Sequence, residues 1–532
     1  MKNKKLVIIL VFFSLLPSPL YLLFAESEFS FRLAPSIEES IDIQEFATGL
    51  GANVSLDWAW RTNAQNYFNR FSFGLSAGGT YLSLPFETGD PLDLIAGTGG
   101  LFVRYRPFDR FAFRASANAG YYQYSREKEN AVNILVSSSF GTEFFISPYF
   151  SLYADGSYTN RAFSSKPLPT YGAAAGIRLN LSEIMSGRTR VRINKTEDFP
   201  IFPVSWAWYR NHPVATVRVT NDEPNAIKNV NLSLFMDSYM SQPFTFAVIP
   251  HIPAGGFIDV PVTALFNEAM MNLTENVIAT GIIQTQYRSL GSRKETTADI
   301  QMPIYHRNTI SWDDDRRAAA FVSPNDFAAL FFARSVDNAI TGELTGRIPN
   351  NVVKATALFE ALRLYGISYV VVPATSFARL AADKTALDNV SFPYQALFFR
   401  GGDCSYLSIL FCSMLEAMNI ESAFITVPGH IYIAFEVGSD TWMANSNDII
   451  TIDGKRWMPV ELTVPREGFN RAWRVGARQW RTHGANAVLY PIREAWEIYP
   501  SVTVPASGDN LPDMPQPGDI VRAIQRELAL LR

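Results

Sequence analysis

The stretch LGANVSLDWAW, from Leu50 to Trp60, alternates between apolar residues and small or polar ones. Successive side chains of a β-strand point to opposite sides of the sheet, so a period of two residues predicts a strand with two different faces. One face would carry Leu50, Ala52, Val54, Leu56, Trp58 and Trp60, and the other would carry Gly51, Asn53, Ser55 and Asp57.

The same alternation recurs on both sides of this stretch and predicts eight strands in the first third of the chain. Most of them reach or approach the ~10 residues that a membrane-spanning strand needs. Their small or polar faces include Asp57, Arg114, Glu143 and Arg178, which is the apolar-outside, polar-inside pattern of outer-membrane barrels. The predicted strands are 29–36, 50–60, 71–78, 92–105, 111–118, 132–144, 150–158 and 171–179.

Connection lengths are a second criterion, because a soluble barrel with its apolar face inward would show the same alternation. The connections after strands four and six are tight, at 107–110 and 147–148, whereas those after strands one, three, five and seven are interpreted as longer and polar. Alternating long and short connections are typical of outer-membrane barrels, although the connection at 61–69 is longer than this pattern predicts. Residues 26–183 therefore resemble the small eight-stranded outer-membrane barrels, with a soluble β-domain as the alternative.

The N-terminus has the features of a secretory signal. Lys2, Lys4 and Lys5 precede an apolar run that ends at Ala25, while Pro17 and Pro19 make the run a poor membrane-spanning helix. The sequence thus predicts a signal peptide over residues 1–25 and an exported protein. With 46 basic and 50 acidic residues, the formal charge is only −4, so nothing indicates a nucleic-acid partner.

The rest of the chain divides into two further predicted domains and a tail. Residues 189–305 contain roughly five short strands separated by turn residues, which predicts an immunoglobulin-like β-sandwich. Residues 311–500 alternate helical and strand patterns, and 501–532 form a Pro-rich linker followed by a short amphipathic helix. The predicted chain is multidomain: an eight-stranded antiparallel barrel, a sandwich and an α+β domain.

The strongest chemical signal lies in the α+β segment. Cys404 follows Gly401, Gly402 and Asp403 and opens a predicted helix, where the positive end of the helix dipole and free N–H groups favour a thiolate. The glycines are interpreted as room for a substrate to approach. His430 follows Pro428 and Gly429 at the start of a predicted strand, and a helix-borne Cys facing a His is the arrangement that thiol catalysis requires.

The passage GGDCSYLSILFCSMLEAMNI, followed by a strand and PGHIYIAF, resembles the transglutaminase-like superfamily. The resemblance covers about residues 311–500. It implies a papain-like α+β fold in which Cys404 is the nucleophile and His430 the base. The second cysteine, Cys412, lies two helical turns further on and is interpreted as a packing residue.

The remaining members of the site are less closely defined by the sequence. The family usually places an Asp shortly after a Trp on the next strand, whereas this chain has Glu461 there, and Asn445 and Asp448 compete for the role of orienting His430. The backbone N–H of Cys404 and the side chain of Gln395 are candidate oxyanion donors. A surface position for Gln395 without a catalytic role is the alternative.

The expected function is thiol acyl transfer on peptide or isopeptide bonds through a Cys404 thioester, without a cofactor or a metal. If the barrel lies in the outer membrane, the C-terminal domains are periplasmic, and cell-wall peptide crosslinks or periplasmic proteins are the substrates within reach. The arginines Arg471, Arg474 and Arg478 could contact an anionic substrate or lie on a helix that only packs. The alternative function is a catalytically inactive domain that binds cell wall or a partner protein.

Overall fold

The architecture comes from a computed structural model of the full chain. The structure describes residues 24–41, 47–62, 70–85, 90–126, 129–163, 166–186, 189–344, 346–370, 383, 386–439, 441–504 and 511–531. The predicted signal peptide, residues 1–25, lies outside the described residues except for the backbone of its last two.

Eight long strands form a closed antiparallel barrel, as the alternation predicts. Each strand pairs with the next, and β1 closes the barrel by pairing with β8. Each strand runs longer than its alternating segment indicated. The strands are β1 Phe24–Ser40, β2 Gly49–Thr62, β3 Phe71–Leu84, β4 Leu92–Phe108, β5 Phe111–Arg126, β6 Glu129–Phe145, β7 Phe150–Phe163 and β8 Lys166–Asn180.

The two faces of the barrel point as predicted, with polar side chains inside and apolar side chains outside. Inside, Arg114 pairs with Asp57 at 3.3 Å and Arg178 pairs with Glu143 at 3.1 Å, and all four residues are at least 95% buried. Buried charges are tolerated because each has an opposite charge within reach. Outside, large apolar side chains are exposed, among them Phe73, Leu75, Leu101, Val136 and Leu152, while Phe113 and Ile177 are half-buried.

The prediction of long connections after strands five and seven is wrong. Strand β5 ends at Arg126 and β6 begins at Glu129, and β7 ends at Phe163 three residues before Lys166 begins β8. The polar residues assigned to these connections belong to the ends of the strands. Hairpin pairing satisfies the backbone there, so the strands extend without an apolar pattern.

The second region is a pair of antiparallel sheets that share one apolar core. It follows a short helix, α1 Leu181–Ser186. Seven strands are present where about five were predicted, because β9 and β15 are largely polar and give no apolar run. One sheet has the order β13-β10-β9 and the other β12-β11-β14-β15. The strands are β9 Val191–Asp198, β10 Ala215–Asn221, β11 Ile227–Phe235, β12 Phe244–Ile252, β13 Phe257–Val262, β14 Val277–Ser289 and β15 Ser292–Ile304.

The C-terminal region combines helices with a five-stranded antiparallel sheet. Its helices are α2 Phe327–Ala339, α3 Asn350–Tyr365, α4 Pro393–Phe399, α5 Cys404–Ala417, α6 Phe469–His483, α7 Ile492–Ala495 and α8 Pro517–Ala529. Its strands are β16 Thr309–Ser311, β17 Ser368–Tyr369, β18 Leu387–Asn389, β19 Gly401–Gly402, β20 Ser422–Val427, β21 His430–Glu436, β22 Ile450–Ile452, β23 Lys455–Val460 and β24 Val488–Pro491. The large sheet has the order β22-β23-β21-β20-β24, and α5 shares a core with it.

The final helix, α8, belongs to this same core. Ile520, Ile524 and Leu528 are buried in it, and the Glu527 carboxylate accepts a hydrogen bond of 2.9 Å from the Asn470 backbone at the start of α6. Helix α8 therefore helps to fix α6.

None of the helices in the described ranges combines the length and the hydropathy that crossing a membrane requires.

Candidate active site

Cys404 is the first residue of α5, and only Asp403 separates it from the short strand β19. A side-chain carbon at Gly402 would lie 2.6 Å from Cβ of Tyr406, and one at Gly401 would lie 2.8 Å from the carbonyl oxygen of Ser368. Both distances are too short for non-bonded atoms, so the two glycines allow β17 and the first turn of α5 to approach the chain here. Close packing thus explains these glycines without a substrate.

Asp403 caps the helix that Cys404 begins. Its carboxylate accepts hydrogen bonds from the backbone N–H of Ser405 at 2.9 Å and of Tyr406 at 3.0 Å. The N–H groups that were expected to act on the thiol are therefore partly engaged by a carboxylate. The Cys404 N–H is not among those that the cap binds, and it stays the predicted backbone donor to an oxyanion. The main positive charge available to the thiol is that of His430.

His430 begins β21, and its imidazole lies close enough to Cys404 for the thiol to act to raise the pKa of His430. The turn before it contains Gly429 with φ of 77°, a left-handed conformation that favours glycine and lets β20 fold back directly onto β21. Cys404 is 5% exposed and the side chain of His430 is 22% exposed. The pair therefore lies at the edge of the core, where a substrate can reach the imidazole.

Glu461, directly after β23, holds the other side of the imidazole. Nε2 of His430 lies 2.7 Å from Oε2 of Glu461, which leaves Nδ1 as the ring nitrogen available to the thiol. The second oxygen, Oε1, accepts hydrogen bonds from the Thr463 backbone at 2.9 Å and its hydroxyl at 2.8 Å. Glu461 is 1% exposed, so a buried carboxylate with both oxygens bound faces the histidine.

The protonation of this pair follows from its neighbours. Burial acts to lower the pKa of His430, but its hydrogen bonds to Cys404 and Glu461 outweigh burial and raise the pKa to about 10. For Glu461, burial acts to raise the pKa, but the hydrogen bond and charge of His430 lower it. The imidazole is therefore protonated near neutral pH, and its charge lies between a carboxylate and the thiol.

The structure separates the three candidates for orienting His430. Glu461 contacts the ring directly, whereas Asn445 is exposed and Asp448 forms an ion pair with Arg481. Asp448 is also tied to α6 through its carbonyl oxygen, which accepts a hydrogen bond of 3.0 Å from the Trp473 indole. Glu461 is thus the candidate with the required geometry, and its catalytic role stays a prediction.

Gln395 lies in α4, and its amide oxygen is engaged within the fold. That oxygen accepts hydrogen bonds from the Asn308 side chain at 2.8 Å and from the Phe392 backbone at 2.9 Å, which caps the start of α4. An oxyanion role would use the amide nitrogen of Gln395 instead. The described contacts do not join Gln395 to Cys404 or His430, and its catalytic role stays a prediction.

Gln479 on α6 is a residue of the site that the sequence did not indicate. Its Nε2 donates a hydrogen bond of 2.9 Å to Oε2 of Glu461, the same oxygen that His430 contacts. Helix α6 can approach β23 this closely because it has Gly476 at the contact, where a side-chain carbon would lie 3.1 Å from Pro459. No motif signals a residue 18 positions after Glu461, since only helix packing brings them together.

Thr463 was also missed, although the sequence carries a signal for it. A Thr two residues after an acidic residue can bind that carboxylate with both its N–H and its hydroxyl, as Thr463 does with Glu461. Cys412 lies in the same helix as Cys404 but away from the site. It is fully buried, and burial raises the pKa of its thiol far above the usual value, in accordance with a packing role.

The fold class of the N-terminal region rests on its strand pairing: residues 24–180 form a closed, eight-stranded antiparallel barrel. The chain is similar to Neisserial surface protein A, at 11% identity over 29% of this chain and 96% of that one, with a TM-score of 0.23. It is also similar to Ail, the attachment invasion locus protein of Yersinia pestis, at 18% identity over 29% and 97% of the two chains, with a TM-score of 0.20.

A third similar structure is the N-terminal β-barrel domain of Pseudomonas aeruginosa OprF. The identity is 9% over 29% of this chain and all of that one, with a TM-score of 0.19. No family model matches the sequence. No curated protein sequence matches it significantly either.

Proposed function

We propose that this chain is an outer-membrane protein with a periplasmic, transglutaminase-like domain that transfers acyl groups through Cys404. The observation that supports the chemistry is the 2.7 Å hydrogen bond between His430 and Glu461, with the Cys404 thiol near the same imidazole. Thiol catalysis needs a nucleophile, a base within hydrogen-bond reach and a third group that orients the base.

The reaction proceeds in two steps. The Cys404 thiolate attacks the carbonyl carbon of a peptide or isopeptide bond, the C–N bond breaks, and His430 gives its proton to the leaving amine. In the second step, water or another amine attacks the thioester while His430 takes a proton from the attacking group. The C–S bond then breaks, which releases the acyl product and restores the Cys404 thiolate beside a protonated His430. Glu461 retains its charge and keeps His430 oriented.

The membrane placement is supported by the two faces of the barrel. A belt of exposed apolar side chains surrounds a polar interior in which the buried charges are paired. In water such an outer face would be unfavourable, whereas in lipid it is the expected surface. Because the barrel has eight strands, β1 enters and β8 leaves at the same end. In outer-membrane barrels with an even number of strands this end faces the periplasm, so the two regions that follow β8 would lie there.

The chemistry is tested with an activated ester, which needs no knowledge of the substrate. The full chain in detergent is mixed with p-nitrophenyl acetate, and the release of nitrophenolate is followed together with the mass of the protein. We expect a burst of nitrophenolate, with one acetyl group on Cys404 and none on Cys412. Cys404→Ser and His430→Ala should each abolish the burst, whereas Cys412→Ser should retain it.

An acetyl group that forms equally in the His430→Ala variant would contradict the proposal, because the ester would then be reacting with an ordinary thiol. The domain would in that case be the inactive binding module that was the alternative from sequence. The buried Glu461 carboxylate that holds His430 near Cys404 favours the active form.

A further inference from the structure

The turn between β14 and β15 places a leucine in an unusual backbone conformation. The turn consists of Leu290 and Gly291, with φ of 48° and 93°. A two-residue hairpin turn in which both φ angles are positive favours Asn-Gly or Asp-Gly, because other side chains are strained in the left-handed region. The β22–β23 turn follows this rule with Asp453 and Gly454, at φ of 50° and 77°. A strained residue of this kind persists only where its surroundings hold it, so the leucine points to a contact at the tip of the hairpin.

That contact is with the mouth of the barrel. Leu290 is 8% exposed and shares an apolar cluster with Ala112, near the start of β5, and Phe145, at the end of β6. Ala112 lies two residues before Arg114, and Phe145 two residues after Glu143, so strand alternation places both on the face that lines the barrel interior. The hairpin tip therefore inserts its leucine into the end of the barrel from which β8 leaves.

A buried ion cluster joins the same hairpin to the barrel at a second point. Lys294, on β15, is 9% exposed and lies 3.5 Å from Glu183 and 3.0 Å from Glu223, which are both buried. Glu183 belongs to α1, which follows β8 directly and is held to β1 by a hydrogen bond of 2.7 Å from the Phe29 backbone to the Ser182 hydroxyl. A buried charge is costly when it loses its partner, so the cluster opposes separation of the hairpin from the barrel.

The two-sheet region, residues 189–305, is in turn continuous with the C-terminal region. Phe202, Val204 and Met271 come from the two-sheet region but are buried in the core that holds the C-terminal helices. The guanidinium of Arg317 lies over the rings of Phe202 and Tyr499, at 5.1 and 5.4 Å from their centroids. Regions of one chain move relative to each other unless their interface is well buried and apolar. Whatever holds the two-sheet region therefore also holds the C-terminal region.

We infer that the β14–β15 hairpin fastens the two-sheet region to the mouth of the barrel, which makes the barrel a rigid mount for the regions that follow it. Leu290 supplies the apolar contact, and Lys294 supplies the charge that joins the two parts. The inference goes beyond the proposed function and does not depend on the reactivity of Cys404. Its consequence for that function is a thiol held at one distance from the membrane, where only substrates at that depth reach it.

The test measures the distance between barrel and two-sheet region by double electron–electron resonance. Spin labels are attached to Asp109→Cys, on the β4–β5 turn, and Thr280→Cys, at an exposed position of β14, in the full chain in detergent. The chain also carries Cys404→Ala, while Cys412 is kept because it is fully buried. We expect one narrow distance distribution, since a rigid interface holds the two labels at one separation.

Two variants identify the hairpin as the fastening element. Leu290→Asn retains the turn, because Asn-Gly is favoured in this conformation, but it removes the apolar contact. The double variant Leu290→Asn, Lys294→Gln also removes the positive charge between Glu183 and Glu223. We expect the distribution to broaden in the single variant and the narrow peak to be lost in the double variant. Asp453→Asn, in an exposed turn of the same conformation, should leave the distribution unchanged.

A second label pair within the two-sheet region, Lys228→Cys and Thr280→Cys, shows whether that region stays folded, because both positions are exposed on its strands. If the double variant broadens this pair as well, the single variant alone decides. A barrel-to-sheet distribution that stays narrow in both variants would overturn the inference. So would a distribution that is already broad when Leu290 and Lys294 are intact.

Discussion

Replacing His430 by alanine should slow the alkylation of Cys404 by iodoacetamide at neutral pH by roughly 10- to 100-fold. The structure supplies the reason. Asp403 engages N–H groups of the helix start, which leaves the imidazolium of His430 as the positive charge near the sulfur of Cys404. In His430→Ala this positive charge is absent, so the negative charge that the sulfur must carry to react is less stabilised.

The magnitude is bounded by the attraction between two opposite charges. Two unit charges ~4 Å apart attract by about 4 kcal/mol at an effective dielectric of ~20, which corresponds to at most roughly a thousandfold change in rate. Two effects reduce the expected change in the alkylation rate. The His430 side chain is 22% exposed, so water screens the pair. A thiolate that is less stabilised is also a stronger nucleophile, which leaves the roughly 10- to 100-fold change in rate.

The assay follows both thiols by mass spectrometry after brief alkylation of the full chain in detergent. In the wild type, Cys404 should react far faster than Cys412, which is fully buried. His251→Ala, at an exposed position on β12, is the matched histidine control and should change nothing. Equal rates for the two cysteines, or an unchanged Cys404 rate in His430→Ala, would refute the coupling of the pair.

Three further predictions concern the site's charges and the barrel. In Glu461→Gln, the pKa of His430 should fall from about 10 toward 6.5, because the carboxylate that favours the protonated imidazole is removed. An NMR titration of labelled histidine measures this pKa, and an unchanged value would exclude Glu461 as the group that raises it. Because the pKa of His430 is raised in the folded state, protonated His430 stabilises the C-terminal region fully below about pH 6.5, and this stabilisation disappears as the pH rises to about 10. The urea concentration at the midpoint of unfolding should therefore fall over this pH range in the wild type, and fall less in His430→Ala. In the barrel, Glu143→Leu should destabilise by about 3–5 kcal/mol, because Arg178 and Arg104, which both pair with Glu143, would then share the single carboxylate of Glu28. Outward-facing Leu101→Arg should cost about 2–4 kcal/mol if lipid surrounds it. Urea unfolding in lipid vesicles checks both, and no cost for Leu101→Arg would contradict the membrane placement.

The barrel could be predicted from the chain alone because its signal is local. The pleat of a strand alternates side chains, so Leu56 and Asp57 must face opposite ways whatever the rest of the chain does. The same pattern could not locate the strand ends. Residues near Arg126 and Glu129 pair across a hairpin through backbone hydrogen bonds, and those depend little on side-chain polarity.

In the candidate site, too, some residues could be predicted from local sequence and others depend on long-range contacts. Cys404 and His430 became candidates together because the helix start after Asp403 and the strand start after Gly429 resemble the transglutaminase-like superfamily, and both starts are set by a few consecutive residues. Which group orients His430 was left open among Glu461, Asn445 and Asp448.

That choice was decided only by the tertiary structure. Strand β23 pairs beside β21 and ends directly before Glu461, which brings the carboxylate to the histidine. Gly476 allows α6 to pack against β23, and this contact brings Gln479 to Glu461. The chain by itself therefore determined the two faces of the barrel strands, the start of α5 and the candidate pair Cys404 and His430, because these follow from short-range patterns. The partners of that pair come from distant segments, and their meeting depends on sheet order and helix packing, which no local pattern encodes.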